Sequence, residues 1–189
     1  MGAILFRTLD PVMQSKLAKA LRNQFETELK RNVPAFLEDK ESELPPGWRS
    51  YRLNVAPGLT LFIALCLSPK DDRFTVELGW SEIGRLPAAG AFGPTDPPKG
   101  GGLTFRLSAL WHPQRHDYWW VLGRQRTLEE MANFVPDQPA EEKLPDVAPK
   151  VADAIEKIVM FGLPYFEMIA AEKGVSVEFK RGVAPKQDR

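Results

Sequence analysis

His112, His116 and Asp117 are the one constellation in this chain whose residue types could do chemistry. They stand in the run WHPQRHDYWW, and the two histidines are the only ones in the sequence. On a helix, imidazoles four residues apart share a face and can hold a metal that activates water, with a carboxylate completing the set. Asp117, or Glu77 from a neighbouring strand, is the natural third ligand. That arrangement would make a metal-dependent hydrolase. Pro113 and the strand-like patterns on either side make the segment a turn, however, and turn residues are the simpler expectation.

The other chemical signals are thinner. Glu178 and Lys180, like Glu141 and Lys143, have the carboxylate-x-lysine spacing of metal-dependent nucleases, but no acidic residue on a preceding strand is placed to share the metal. Lys99 to Gly102 has the composition of a phosphate loop, yet its lysine precedes the glycines and the segment opens a strand rather than a helix. Trp119 and Trp120 must face opposite sides of a regular strand, so one of them is expected to leave the core. With Arg115, Arg124 and Arg126 nearby, the exposed one could stack a base, which keeps a nucleic-acid-binding accessory role as a further alternative. The lone Cys66 cannot form an internal disulfide and sits in the most apolar stretch, so a buried thiol is expected. A serine elbow, paired cysteines and a dinucleotide fingerprint are all missing, and no cofactor is expected.

The elements that must position these residues follow from hydrophobic periodicity. Leu59 to Ser68 is apolar on both alternate faces, as a central strand buried on both sides should be. Pro69 to Asp72 turns the chain into Arg73 to Ser81, where Phe74, Val76, Leu78 and Trp80 face one way and Thr75, Glu77 and Gly79 the other. Trp48 to Val55 precedes the pair and is joined to it by Ala56, Pro57 and Gly58. Leu103 to Trp111 and Tyr118 to Gly123 read as two later strands, and Val175 to Lys180 as an edge strand.

Asp10 and Pro11 start an amphipathic helix over residues 10–32, with Met13, Leu17, Leu21, Phe25 and Leu29 recurring every four residues. Glu38 to Glu43 reads as a solvated connection. Thr127 and Glu130 have capping-box spacing for a short helix, Leu128 to Phe134. Asp146 caps a C-terminal helix that Gly162 and Pro164 should interrupt, and Gly174 should end it.

Two stretches do not fit a compact sheet. Residues 82–102 hold four prolines and six glycines, and residues 135–149 form a Pro-rich strap. A loop as long as the first is uncommon inside a domain unless it has a function. We therefore expect a single α+β domain over residues 1–180, with an antiparallel sheet of four to six strands packed against an N-terminal helix and a kinked C-terminal helix. Residues 181–189 read as a disordered tail.

Composition narrows the function. Twenty-five basic and twenty-five acidic side chains leave no net charge, hence no global field to draw in nucleic acid or an acidic membrane. No signal peptide, complete myristoylation motif or bilayer-length apolar run is present, which points to a soluble cytoplasmic protein.

The opening helix followed by WRSYRL, LTLFIALCLS, RFTVELGWS and the late GLPYFEMIA resembles small uncharacterised bacterial proteins in which helices pack on an antiparallel sheet. The resemblance implies a bacterial cytoplasmic accessory protein, of the kind encoded with mobile elements or with defence and immunity genes, and it transfers no site residue. The sequence is read on these grounds as a non-catalytic protein-interaction module. Its partner surface is expected on the 82–102 insertion, at Ile83, Leu86 and Phe92, together with whichever of Trp119 and Trp120 turns away from the helices.

Overall fold

The computed structural model describes residues 11–68, 72–87, 91, 93–112, 117–122 and 144–179, with side chains from Ser15 onward in the first helix. Phe92, His116, the expected helix Leu128 to Phe134, most of the Pro-rich strap and the 181–189 tail lie outside the described residues.

The fold is α+β, with an antiparallel sheet carrying one N-terminal and one C-terminal helix. Helix α1 is Pro11–Asn32, and its four-residue apolar repeat buries Leu17, Leu21, Phe25 and Leu29. Lys30 and Arg31 lie in its last turn, where positive charge complements the helix dipole. The sheet runs β1 (Leu37–Glu38), β2 (Trp48–Ala56), β3 (Leu59–Leu67), β4 (Arg73–Ser81) and β5 (Gly102–Arg106) in spatial order. Strand β6 (Trp120–Val121) pairs with the Arg73–Phe74 end of β4, while β5 takes the Glu77–Ser81 end. Because β3 occupies the other side of β4, β5 and β6 share one edge between them.

The hairpin between β2 and β3 closes through Pro57 and Gly58, and Gly58 adopts φ +79, a conformation that L side chains rarely take. Register then sorts the side chains. Tyr51, Ile63 and Leu78 lie in one row, with Leu65 and Val76 alongside, all on the helix-covered face. The opposite face carries the row Ser50, Ala64, Glu77 and Arg106. This second face is not the wet side of a two-layer sheet: Phe62, Ala64, Cys66, Thr75, Glu77 and Ser81 are all buried on it.

The C-terminal helical run comprises α2 (Ala148–Lys157), a π turn (Ile158–Gly162) and α3 (Leu163–Glu172). The expected interruption is thus a change of helical pitch and not a break in the chain's helicity. Leu163 donates its N–H to the Ile158 carbonyl, five residues back, and this widened turn takes up the proline whose nitrogen cannot donate. Gly162 has a packing role as well, since a Cβ there would meet the Leu78 side chain at 3.2 Å. Asp146 accepts a hydrogen bond from the Ala148 N–H at the start of the run. Gly174, at φ +74, ends it in a Schellman motif, with Val175 N–H on the Ala170 carbonyl and Gly174 N–H on that of Ala171.

Several strand expectations need correction. Leu103 to Trp111 is a strand only as far as Arg106, after which Leu107–Leu110 coils into a 3-10 turn that still buries Leu107 and Ala109. Alternating apolar residues over so short a span do not separate a strand from such a turn, which here buries Ser108 along with its two neighbours. Of the expected strand Tyr118 to Gly123, the described residues 118–122 form a strand at Trp120–Val121. Val175 to Phe179 forms no strand: its alternating Val175, Val177 and Phe179 pack against the core, with Phe179 stacked on Phe36 at 6.1 Å. Conversely, the connection after α1 is less solvated than expected, since Leu37–Glu38 pairs with β2 and Asp39 is buried.

The aromatic contacts that close the helix face are long in sequence and short in space. Phe25 meets Tyr51 at 5.9 Å, Phe36 stacks on Phe166 at 5.6 Å, and Tyr165 stands edge-on to Phe105 at 5.0 Å. Phe166 is fully buried, so Phe166→Ala is expected to destabilise the fold by about 3 to 5 kcal/mol, read as a lowered midpoint in chemical denaturation. An unchanged midpoint would mean that the C-terminal helix is peripheral.

Candidate functional site

Adjacent strand residues alternate faces, and Trp119 and Trp120 divide accordingly. Trp120 is 2% exposed, stacks on Phe74 at 5.2 Å and donates its indole N–H to Asp153 of α2 at 2.7 Å. It is a core residue tying β6 to the helices. Trp119 is half-buried on the other side of the sheet. Two guanidinium groups stand over its ring, Arg73 at 4.7 Å and Arg106 at 4.8 Å from the centroid. Its indole N–H donates to Asp117 Oδ1 at 2.7 Å, and that carboxylate also pairs with Arg106.

Beneath this surface cluster lies Glu77, opposite Arg106 in the β4–β5 register. Burial raises the Glu77 carboxyl above the usual carboxylate range, and the Arg106 charge opposes that rise. Its Oε2 is buried without a hydrogen-bond partner. The neighbouring Cys66 is pushed up strongly, first by burial and then by the Glu77 charge, so it remains a thiol. A buried thiol of this kind is a poor nucleophile.

Of the histidine constellation, His112 and Asp117 are described and His116 lies outside the described residues. His112 is exposed at the rim of an aromatic cluster, its ring 6.4 Å from Tyr118 and 6.2 Å from Trp111. Asp117 is occupied by Arg106 and Trp119, while Glu77 is buried opposite Arg106 in the strand register. No group of three His, Cys, Asp or Glu able to hold a metal ion is found among the described residues. Sequence reasoning found Trp119 through strand alternation but did not single out Arg73 and Arg106. Their register on β4 and β5 is the feature that brings them together.

The insertion residues lie toward the other end of β4. Leu86 is half-buried, with its side chain close to Gly79, while Ile83 is 68% exposed. The loop is tied down: Leu86 N–H donates to Ser42 Oγ, Thr104 Oγ1 donates to the Pro87 carbonyl, and Ala91 N–H donates to the Thr104 carbonyl. Gly79 is required beneath it, because a Cβ there would approach Leu103 O and Thr104 Oγ1 to 2.9 Å. Among the described residues no helix is long and apolar enough to cross a membrane.

The raised Glu77 carboxyl has a testable sign. Its contribution to stability is fully present below the ordinary Glu pKa and is lost as pH rises through the higher folded-state value. Glu77→Gln, which cannot ionise, should therefore gain melting temperature relative to the parent protein as pH rises from that acid range toward neutrality. A difference independent of pH would show that Glu77 titrates alike in the folded and unfolded chain. No protein-family model matches the chain, and neither a curated protein nor a solved structure does.

Proposed function

We propose that the chain is a non-catalytic module that binds a protein partner within a cytoplasmic complex, using the helix-free side of the sheet. The observation that carries this reading is the presentation of Ile83. A large apolar side chain is held out on a backbone that is hydrogen-bonded at Glu82 and at Ile83 itself. Ser81 Oγ accepts the Ile83 N–H, Glu82 N–H donates to the Gly101 carbonyl, and Glu82 pairs with Lys173 at the end of α3. Lys173 in turn stands over the Trp80 ring at 4.7 Å. A pre-ordered β-branched residue has little freedom left to lose on association, which is what an interface anchor needs. The commitment of Asp117 to Arg106 and Trp119 favours this reading over metal-dependent hydrolysis.

The reading is tested by Ile83→Asp in the full chain, with stability and co-purifying host proteins measured side by side. Because the side chain is exposed, stability should stay within about 0.5 kcal/mol of the parent protein. Proteins retained by the parent should be lost. A variant that keeps all of them would overturn the role of this surface.

A further inference from the structure

The cluster at Trp119 has the form of a carboxylate-binding site already filled from within the chain. Two kinds of donor converge on Asp117: the planar guanidinium of Arg106 and the indole N–H of Trp119, the latter at 2.7 Å. The Asp117 side chain is 76% exposed, so the acceptor is held at the surface and its donors are reachable once it moves. Guanidinium paired with a second fixed donor is a geometry that suits carboxylates. The ring behind it carries Arg73 as well as Arg106.

We propose that this cluster receives an acidic side chain of the partner protein, a Glu or Asp carboxylate taking the place of Asp117 on Arg106 and Trp119. The proposal rests on the interaction-module reading and adds the chemistry of the partner. An acidic peptide is favoured over nucleic acid because the Trp119 ring is already covered by two guanidiniums, which leaves it poorly placed to receive a base. Asp117 then acts as an internal competitor that keeps the site closed to weak acids and gives way to a partner bound through further contacts.

The test uses full-length protein with nitrogen-15-labelled tryptophan, the Trp119 indole resonance being identified by its loss in Trp119→Phe. A hexaglutamate peptide is the probe, with hexaglutamine and a thymidine oligonucleotide as controls. The peptide should shift the Trp119 resonance while hexaglutamine does not. Asp117→Ala should bind the peptide on the order of tenfold more tightly, because the competitor is removed. Arg106→Gln should abolish the shift, and Arg106→Lys should weaken it. Asp117→Ala alters only an exposed side chain and keeps the test open if the Arg106 variants fail to fold. A Trp119 resonance unmoved by hexaglutamate in both the parent protein and Asp117→Ala overturns the proposal, as does a shift produced by the oligonucleotide alone. Ile83→Asp separates the two readings, since it should leave hexaglutamate binding intact. If host partners depend on Ile83 but hexaglutamate does not bind, only the acidic chemistry fails. If hexaglutamate binds but Ile83→Asp keeps every partner, the Ile83 surface fails and the carboxylate site stands.

Discussion

Burial of β3 on both faces is the constraint from which the rest of the structure follows. Leu61, Ile63 and Leu65 point to one side and Phe62, Ala64 and Cys66 to the other, and all six are almost completely withdrawn from water. A strand of this kind requires two covers. One is supplied by α1 and the C-terminal helices, through Phe25, Tyr165 and Phe166, with Phe36 added from the connection after α1. On the second, the described residues include Leu86 above Gly79 and the Arg73, Arg106 and Trp119 cluster. The long insertion therefore has a structural use in addition to the interaction proposed for it, because it places an apolar side chain against a sheet face that α1 and the C-terminal run leave uncovered.

The two sides of the sheet are held by different physics. The helix side is dispersion and hydrophobic burial among large aromatic and aliphatic groups, with Trp120 and Asp153 as a polar fastening near the rim. The other side is mixed. Ser50 Oγ and Glu77 Oε2 are both buried there without a hydrogen-bond partner, on one register row and separated by the small Ala64. Unsatisfied polar groups in a dry setting work against folding. Arg106 softens the conflict by facing the buried Glu77 on one side and the exposed Asp117 on the other.

Much of this was legible in the residues. β4 was bounded at Arg73 and Ser81 by its alternation, and α1 by its four-residue apolar repeat and the positive charge in its last turn. Trp119 and Trp120 could be separated because period-two geometry forces neighbours apart. What escaped were features set by the tertiary environment. Phe179 reads as a strand residue, but its ring is captured by Phe36 before it reaches any sheet edge. Pro164 reads as a break, yet one residue of added pitch absorbs it in a helix already held down by Leu163 and Phe166. The Arg73, Trp119 and Arg106 stack was invisible because its members are far apart in sequence and meet only through strand register.

The chain order of the two helical covers also has a consequence for biosynthesis. Strands β2 to β4 form a local meander whose antiparallel pairs are complete once Ser81 has emerged from the ribosome, whereas Phe166 and Ile169 follow roughly ninety residues later. At translation rates of about 5 to 20 residues per second, that interval lasts on the order of five to twenty seconds. During it the nascent sheet has only α1 to shield its apolar side, leaving Leu78 and its neighbours open to wrong contacts with other chains. The mature fold therefore depends on a late-arriving segment, and the vulnerable species is an emerging chain that has finished its main hairpins but not its lid.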